Sequence, residues 1–597
     1  MRIASAAATR LVEEVKHNWI LVKLKTDAGL HNRGEATEWP GSSSTSTRTA
    51  GSSKAARAIL ICAAGYLGGL SMFRICVAAL VWVLTAPAAA QAQLPGTAPL
   101  TGDGDFALSM VDAIRDYLLR ETDRVAAGRE RFWKRDFSSR SAYERSIAPN
   151  RARLARIIGA VDARVGFTGL TLDATTAAPA LVGRGRGYKV SAVRWPVFEG
   201  VEAEGLLIEP DRPAVARIVA LPDADWTPEA LAGIEPGFAP TAQFARRFAE
   251  SGCQVLVPLL IDRSATWSGI PGIRMTNLPH REWIYRMAFQ TGRHIIGYEV
   301  QKVLAAVDWF AAENRGRAVP IGVAGYGEGG LIAFYSAALD SRIDAALVSG
   351  YFQPREALWK EPVYRDVWGL LNEFGDAEIA SMIAPRGLVV EASAAPDVKG
   401  PPPATKERGG ATPNGALVTP PLEDVRREVE RSRQWFAAIG AARELEFILD
   451  SGGGLPGSDQ ALSALLRAAG ANVNIAPSGN APEKLRPSFA AAERMKRQFD
   501  QLVAWTQRLI RESPLRRAEF WSKADSSSPE RWRETTQFYR DYIWNEVIGR
   551  MPDPSVPANP RARLVYDRPK YRGYEVVLDV WPGIFTHGIL LVPKNIR

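Results

Sequence analysis

The sequence contains little cysteine and little histidine. Among its 597 residues there are three cysteines and five histidines. None of Cys62, Cys76 and Cys253 belongs to a C-x-x-C pair or to a histidine-rich cluster. This excludes a disulfide-stabilised scaffold and argues against a structural zinc site. We therefore expect no metal and no other cofactor.

Most of the chain also lacks a large excess of charge of one sign. The 74 Lys and Arg against 65 Asp and Glu give a net charge of +9, which raises the question of a nucleic-acid partner. Residues 1–92 contain ten of the basic and five of the acidic residues, so the rest of the chain carries about +4. We therefore expect no nucleic-acid partner.

No apolar run reaches the length of about 20 residues that a membrane-spanning helix needs. The run Ile75–Leu84 follows the basic residue Arg74 and precedes Ala90-Gln91-Ala92, a small-x-small sequence of the kind that signal peptidase cleaves. Residues 72–92 therefore predict a signal peptide. The mature protein would be secreted or periplasmic and would have no membrane contact after cleavage.

The segment before this signal lacks any sustained hydrophobic period. Gly41–Lys54 is composed almost entirely of Gly, Ser and Thr, a composition that cannot bury enough apolar surface to offset the entropy of the chain. Since Met72 stands directly before the signal, we interpret it as the true start. Residues 1–71 are then a disordered segment or a spurious upstream extension.

Aromatic residues make up only 9% of the chain, yet their order reveals an internal repeat. Phe132-Trp133 recurs as Phe520-Trp521, and Trp195-Pro196 recurs as Trp581-Pro582. The offsets between matching segments lie between 383 and 390 residues. Chance matches of apolar strands do not keep rare tryptophans in order, so the pattern predicts two copies of one module.

The repeat divides the chain into predicted domains. We expect a helical leader at residues 93–180, a core at 187–477, a linker at 478–490, a second helical leader at 491–565 and the start of a second core at 570–597. The second copy stops after its first pair of strands, and a lone strand pair is only marginally stable. We therefore expect a truncated product of a longer tandem protein.

The first core alternates short apolar strands with amphipathic helices. This pattern predicts an α/β fold, a mostly parallel sheet with helices on both faces, and the two strands before the alternation favour an α/β-hydrolase-like topology. The predicted strands are Lys189–Trp195, Gly205–Glu209, Ala216–Pro222, Gln254–Leu259, Val319–Ala324, Ala345–Ser349, Gly387–Ala392 and Leu445–Leu449. The predicted helices are Ala242–Glu250, His294–Glu313, Glu328–Leu339, Glu423–Ala438 and Asp459–Ala469. Residues 396–421, rich in Pro and Gly, predict a flexible excursion.

The glycine-rich segment Gly325–Gly330 lies between a predicted strand and a predicted helix. Its sequence, GYGEGG, has the placement of a nucleophile elbow, G-x-S-x-G, in which a tight strand-to-helix turn exposes a nucleophile. The amino terminus of the following helix then faces the developing oxyanion. Here the nucleophile position is Gly327, which has no side chain that could attack a substrate.

Together with Leu221–Asp225 and Leu388–Asp397, this elbow resembles the α/β-hydrolase superfamily. The resemblance covers about Gly187–Gly470 and is nearest to secreted acetyl xylan esterase-like and dienelactone hydrolase-like members. It implies hydrolysis of carboxylic esters by a Ser, His and acid triad. It also implies that the loop with Asp223 and Ala224, next to Tyr326 of the elbow, binds the substrate oxyanion. Asp397 is then the candidate triad acid, with Glu391 as the alternative.

The chain departs from the pattern of this superfamily at two triad positions. The nucleophile is replaced by Gly327, and the loop that carries the base, Asp450–Asp459, contains no histidine. His280 and His294 precede the elbow, and His587 belongs to the second copy. A nucleophile without its base is weakly reactive, so the first core is expected to be catalytically degenerate.

Other residues near the elbow have two interpretations each. Glu328 lies in the first turn of a helix, where the helix dipole lowers its basicity, and is interpreted as a helix-start acid more readily than as a base. The cluster His280-Arg281-Glu282-Trp283 lines a pocket or forms a surface ion pair beside a packing tryptophan. His294 at a predicted helix start is typical of a cap or a packed ring.

Three functions follow from these expectations. The first is an exported, esterase-like protein whose core is non-catalytic and keeps its pocket to bind or scaffold a carbohydrate ester or similar small molecule, with any catalysis in the missing second core. The second is an active ester hydrolase that uses His280 or His294 as its base. The third is a nucleotide-binding module, because Gly325, Gly327 and Gly330 also spell G-x-G-x-x-G. The strand after the motif carries no acidic residue for a ribose, which weakens the third.

Overall fold

The computed structural model describes residues 94–270, 272–410, 415–449 and 454–594, and the backbone of residues 3–10, 19–26 and 31–37. The chain forms two compact units. The larger is Glu121–Thr536, and the smaller combines Met1–Arg120 with Gln537–Arg597. The predicted signal peptide at residues 72–92 lies outside the described residues.

Three segments within the first 71 residues form strands, while the interpretation of residues 1–71 as a spurious upstream extension stays a prediction. The backbone forms antiparallel strands at Ile3–Arg10, Trp19–Thr26 and His31–Thr37, where the sequence predicts disorder or an extension. The run Trp19-Ile20-Leu21-Val22 has the β-branched and aromatic composition that favours strands. The Gly, Ser and Thr segment at 41–54 lies outside the described residues.

The first leader, predicted to be helical over residues 93–180, contains long helices. Helix α1 is Phe106–Ala127 and helix α2 is Arg140–Ile157. Ser139 caps α2 because its side chain accepts a hydrogen bond from the backbone N–H of Ala142. Helix α2 buries residues on one face, at Tyr143, Ile147 and Leu154, which is the spacing that places apolar side chains on one stripe of a helix.

The core sheet has eleven strands, nine of which carry its architecture. These nine are β1 Leu181–Gly185, β2 Tyr188–Phe198, β3 Val201–Pro210, β4 Arg217–Leu221, β5 Gln254–Pro258, β6 Ile321–Tyr326, β7 Ala345–Ser349, β8 Gly387–Ala392 and β9 Leu445–Leu449. Their order is β9-β8-β7-β6-β4-β5-β3-β2-β1. The strands from β9 to β5 pair in parallel, while β3, β2 and β1 pair antiparallel. The prediction of a mostly parallel sheet is confirmed.

The apolar pattern of the parallel strands explains why they occupy the middle of the sheet. All five residues of β4 and all five of β7 are buried, which requires helices on both faces. In β4, Ile218 and Ala220 belong to one apolar cluster, whereas Val219 and Leu221 belong to the other. Alternate side chains therefore point into two separate hydrophobic layers.

Helices cover both of these layers. They are α3 Phe244–Glu250, α4 His280–Phe289, α5 Ile295–Glu313, α6 Glu328–Leu339, α7 Leu422–Ala438 and α8 Asp459–Ala468. Helices α5, α6 and α7 pack in the layer of Val219, and α3 and α8 pack in the layer of Ile218. Every helix and strand that the sequence predicts for this core is present, with ends that differ by at most four residues.

Three segments that the sequence leaves irregular contain regular elements in the structure. Helix α4 forms where the sequence suggests only a polar and aromatic cluster. The helix was not predicted because its apolar residues do not form a clear stripe. The predicted linker at 478–490 is partly ordered, since Glu483–Lys484 pairs with β1 and adds an edge strand. The predicted flexible excursion at 396–421 contains two short strand pairs, Val398–Lys399 with Ala416–Leu417 and Arg408–Gly409 with Met275–Thr276.

The second leader begins with the long helix α9, Ala491–Phe520, which packs on the first core. Its buried face includes Met495, Phe499 and Leu502, and Phe499 lies 5.0 Å from the ring of His280. The predicted domain boundary at residue 491 therefore does not coincide with the end of the larger compact unit, which is Thr536. Helix formation here follows the prediction, but the helix completes the core that precedes it.

The smaller unit contains the strands predicted to start a second core. They are β10 Arg561–Asp567, β11 Tyr571–Trp581 and β12 Ile584–Pro593, and they form an antiparallel sheet with Ala98–Pro99 pairing at its edge. None of the helices in the described part of the chain is both long enough and apolar enough to cross a membrane.

One local structure occurs in both leaders. The Asp136 carboxylate accepts from the N–H of Ser138, and the N–H of Asp136 donates to the Ser146 hydroxyl. At an offset of 389 residues, Asp525 forms the same two bonds with Ser527 and Thr535. The matching bonds agree with the repeat read from the sequence, while the tandem organisation of the whole protein stays a prediction.

Candidate functional site

The turn between β6 and α6 has the geometry of a nucleophile elbow. Gly327 has φ 57° and ψ −117°, a positive-φ conformation that side-chain-bearing residues rarely adopt. A Cβ at Gly325 would overlap the carbonyl oxygen of Gly329, and one at Gly329 would overlap the backbone of Leu221. The flanking glycines are therefore required for the close approach of α6 to the sheet.

The space that a nucleophile would use is filled by the chain itself. A Cβ built on Gly327 would lie 2.5 Å from Oδ1 of Asp223 and 2.5 Å from Cγ of Pro396. The backbone N–H of Glu328, which is the oxyanion donor in an elbow of this kind, donates to Oδ1 of Asp223 at 2.9 Å. An internal carboxylate thus occupies the place of the oxyanion.

Arg263 holds the Asp223 carboxylate in this position. Its two terminal nitrogens bind Oδ2 and Oδ1 of Asp223 at 2.6 and 3.0 Å, a bidentate pair. Arg263 also binds Asp225 at 2.9 Å. Asp223 is almost fully buried, with 1% of its surface exposed. A buried ion pair with this many hydrogen bonds is costly to break, because either partner alone would be an uncompensated charge. We call Asp223, Arg263, Gly327 and Glu328 the elbow site.

Glu328 is the hub of a buried ionic network. Its carboxylate binds Arg365 at 2.5 Å and Arg281 at 3.2 Å, and Arg263 lies 3.5 Å away. Burial alone would raise the pKa of Glu328, but the three guanidinium groups outweigh burial and hold the pKa at about 2. A carboxylate of such low basicity does not act as a general base near neutral pH.

Arg281 itself lies neither at the surface nor in the wall of the cavity described below. It is fully buried and binds Glu299 through two hydrogen bonds, at 2.9 and 3.0 Å. Trp283 is half-buried and packs against the apolar core. Of the cluster, Glu282 lines a cavity described below. Sequence alone does not reveal that α4 turns Arg281 towards Glu328.

His280 belongs to a Ser-His-Asp group that is not arranged as a triad. Its Nδ1 lies 2.6 Å from the Asp262 carboxylate and 3.1 Å from the Ser264 hydroxyl. Its Nε2 accepts the backbone N–H of Trp267 at 2.9 Å, and the two rings stack at 4.5 Å. In a triad the two ring nitrogens serve the acid and the nucleophile separately. Here Nε2 is occupied, so the histidine orders the loop.

His294 caps helix α5. Its Nδ1 accepts the N–H of Ile296, and its Nε2 donates to the carbonyl of Asp366 at 2.9 Å. Burial lowers the pKa of His294 to about 4, so the ring is neutral at physiological pH. Both ring nitrogens are occupied, and neither is available to a substrate.

The two candidate acids lie in different environments. Asp397 is highly exposed and forms a surface ion pair with Lys399 at 3.2 Å. Glu391 is buried and accepts hydrogen bonds from the hydroxyls of Ser349 and Ser458, both at 2.6 Å, and from the N–H groups of Gly457 and Ser458. Glu391 therefore anchors the start of α8. Residues 450–453 of the expected base loop lie outside the described residues.

Ala224 and Tyr326, predicted to bind substrate, are buried packing residues. Ala224 is 2% exposed, and the Tyr326 ring lies 4.8 Å from that of Trp226. Among the described residues, no group of three or more His, Cys, Asp and Glu side chains is placed to hold a metal ion. The amino terminus of α6, where a dinucleotide would place its phosphates, is filled by Asp223.

A cavity of about 450 Å³ lies at the same edge of the sheet and shares Arg263 with the elbow site. Its wall is formed by α4, by the segment after β7 and by the proline-rich segment after β8. The lining residues are Arg263, Pro279, Glu282, Arg286, Trp359, Glu361, Pro362, Val363, Tyr364, Asp366, Val398, Lys399, Gly400, Pro401, Pro402, Pro403 and Gly415. Sequence reasoning missed the segment around Trp359–Asp366, whose density of aromatic and charged residues is the available signal.

The strand order, the elbow turn and the position of α6 define the α/β-hydrolase fold. Residues 204–360 match the sequence model of the Dienelactone hydrolase family. This segment of the core is therefore similar to the Dienelactone hydrolase family, which confirms the resemblance predicted from the sequence. The search of curated proteins found no match.

Solved structures with a similar fold include several esterases. A candidate acetyl xylan esterase from Bacteroides fragilis NCTC 9343 is 15% identical, with 66% of this chain and 94% of that chain covered and a TM-score of 0.40. Methylesterase BT1017 is 13% identical, with 66% and 80% covered and a TM-score of 0.40. A glucuronoyl esterase from Solibacter usitatus is 10% identical, with 56% and 94% covered and a TM-score of 0.35.

Proposed function

We propose that this domain is a non-catalytic member of the α/β-hydrolases that binds a small molecule. The observation that carries the proposal is the position of Asp223, whose carboxylate accepts the Glu328 N–H beside Gly327. Hydrolysis of an ester through this fold requires a nucleophile and an open oxyanion donor. Here glycine replaces the first, and a buried carboxylate occupies the second.

Binding is supported by the cavity next to the elbow site. Its volume of about 450 Å³ lies within the range of about 300–1,000 Å³ that is typical of small-molecule sites. The resemblance to esterases suggests a carbohydrate ester or a related molecule as the ligand. Export of the protein rests on the predicted signal at residues 72–92 and stays part of the proposal.

The two alternative functions have less support from the geometry. An ester hydrolase that uses His280 or His294 as its base would need a free ring nitrogen, and both nitrogens of each ring have partners. A nucleotide site at Gly325–Gly330 would place phosphates at the start of α6, where Asp223 would repel them.

An assay of the purified full-length chain tests the proposal. We expect no hydrolysis of p-nitrophenyl acetate above background and no covalent labelling by a fluorophosphonate probe, which reacts with activated serines. The variant Gly327→Ser should gain little activity, since it supplies neither a base nor an open oxyanion donor. Turnover that survives in Gly327→Ala and disappears in His280→Gln or His294→Gln would contradict the proposal.

A further inference from the structure

One carboxylate in the cavity wall lacks a partner. Asp366 forms no side-chain hydrogen bond and no ion pair with any described residue, although it is only partly exposed. Burial, together with the nearby charge of Glu361, raises the pKa of Asp366 to about 7. Charged groups removed from water are normally paired, so the structure leaves an unmet interaction at this point of the cavity.

The other charged groups of the wall have internal partners. Arg286 binds Glu282 at 2.7 Å, and Glu361 binds Arg365 at 2.7 Å. Arg263 is held by Asp223, and Lys399 pairs with Asp397 at the rim. Within the part of the chain that the structure describes, Asp366 is therefore the wall charge that a ligand could compensate.

The remaining wall is aromatic and apolar. Trp359 lines the cavity with 45% of its surface exposed, and the indole ring is the aromatic surface that attracts cations most strongly. Lys360 already lies 5.3 Å from that ring. The three consecutive prolines at 401–403 complete a stiff wall that contributes no N–H donors. An anion would meet no unpaired cation in this cavity.

We propose that the ligand of this cavity is an organic cation, an amine whose charged nitrogen pairs with Asp366 while its apolar body packs against Trp359 and the prolines. This inference rests on the proposed function only in taking the cavity as a binding site. It assigns the ligand a positive charge, and so replaces the carbohydrate ester that the resemblance to esterases suggests with an amine.

A calorimetric titration with three matched probes tests the inference on the full-length chain. Phenethylammonium carries the cation, 2-phenylethanol is its neutral counterpart, and 3-phenylpropionate carries the opposite charge. At pH 8 we expect phenethylammonium to bind at least tenfold more tightly than the other two. Asp366→Asn should weaken its binding by about tenfold or more, the loss expected for one charge-assisted hydrogen bond. Asp424→Asn, the same change on the surface of α7 outside the cavity, should leave binding unaltered.

A second measurement needs no variant. Since Asp366 is mostly protonated at pH 6, phenethylammonium should bind about tenfold more weakly there than at pH 8. Glu361 is the charged group whose field acts on Asp366, Tyr285 lies beside it, and His294 donates to its backbone carbonyl. With a pKa of about 4, His294 stays neutral across this range.

The outcomes separate this inference from the proposed function. Equal binding of the amine and the alcohol, tighter binding of the acid, or binding of none of the three would each overturn the organic-cation assignment. The first two outcomes would leave a binding domain in place. Ester hydrolysis in the assay described above would contradict the non-catalytic function and leave the amine site untouched.

Discussion

The elbow site and the cavity that contains Asp366 are adjacent and share Arg263. They differ in whether their polar groups have internal hydrogen-bond or ion-pair partners. At the elbow site the N–H of Glu328 and the guanidinium of Arg263 are both satisfied by Asp223. In the cavity Asp366 has no such partner. The elbow site has the backbone of a nucleophile elbow, but Asp223 fills the space beside it. The adjoining cavity instead contains a carboxylate, Asp366, without an internal partner.

The contrast shows that the backbone conformation of a nucleophile elbow can be present without a reactive side chain. The φ and ψ angles of Gly327 and the close approach of α6 are set by glycines that pack against the sheet. These angles do not depend on a reactive side chain. The same turn can therefore hold a serine in an enzyme or receive a carboxylate in a binding domain.

The largest effect is expected for Asp223→Ala, which removes the carboxylate that closes the elbow site. It leaves the Glu328 N–H without an acceptor and removes the bidentate partner of the buried Arg263 guanidinium. Arg263 then keeps the half-exposed Asp225, the Tyr364 hydroxyl and, at 3.5 Å, Glu328. We expect the free energy of unfolding in urea to fall by about 3–5 kcal/mol.

The matched control is Asp225→Ala, which removes a more exposed carboxylate partner of Arg263. Asp225 is half-exposed, and exposed pairs contribute about 0–1 kcal/mol. Equal losses for the two variants would show that the buried pair has no special role in closing the elbow site.

A smaller effect is expected for Gly327→Ala, which tests how completely the elbow is filled. The new methyl group would meet Asp223 and Pro396 at 2.5 Å and would also be strained by the positive φ. The control variant is Gly470→Ala, which introduces the backbone strain of a positive φ without a steric clash. Gly470 has φ +86° and no atom within 4 Å of its Cβ position. We expect urea unfolding to show a loss of about 1 kcal/mol for Gly470→Ala and about 2–3 kcal/mol for Gly327→Ala. Equal losses would mean that the elbow is open.

The smallest effect has the opposite sign and concerns the cavity. Because the pKa of Asp366 is raised to about 7, the folded protein binds the proton more tightly than the unfolded chain does. The contribution of Asp366 to the stability of the wild type should then fall as pH rises from about 4 to about 7. After allowance for partial exposure, Asp366→Asn should be more stable than the wild type by about 1–2 kcal/mol at pH 8, and by progressively less towards pH 4. Thermal unfolding from pH 4 to 8 measures this, and an advantage that does not change with pH would contradict the assignment.

Much of the fold could be predicted from the sequence because its signals are local. Strands β7, β8 and β9 were predicted at the residues where they occur, since continuous apolar runs between turn residues leave few alternatives. Helix α4 and the edge strand at Glu483–Lys484 were missed because they depend on distant partners. The packing of α9 on the first core is equally non-local.

The candidate site was predictable only in part. The sequence of Gly325–Gly330 predicts the elbow turn and the lack of a nucleophile in it. The resemblance to the α/β-hydrolase superfamily is based on the same segment. The position of Asp223 at the oxyanion donor does not follow, because residues 223, 263 and 328 are far apart in the chain. Asp397, the positional candidate for the acid, lies at the surface, and the unpartnered state of Asp366 is visible only once its neighbours are known.

The most direct test of the account is whether acetate can replace the Asp223 carboxylate. In Asp223→Ala, acetate should enter the vacated space, accept the Glu328 N–H and pair with Arg263. Differential scanning calorimetry should then show a rise in melting temperature with acetate for this variant, and no comparable rise for the wild type or for Asp225→Ala. A variant that does not respond to acetate, or a wild type that responds equally, would contradict the claim that an internal carboxylate closes the elbow.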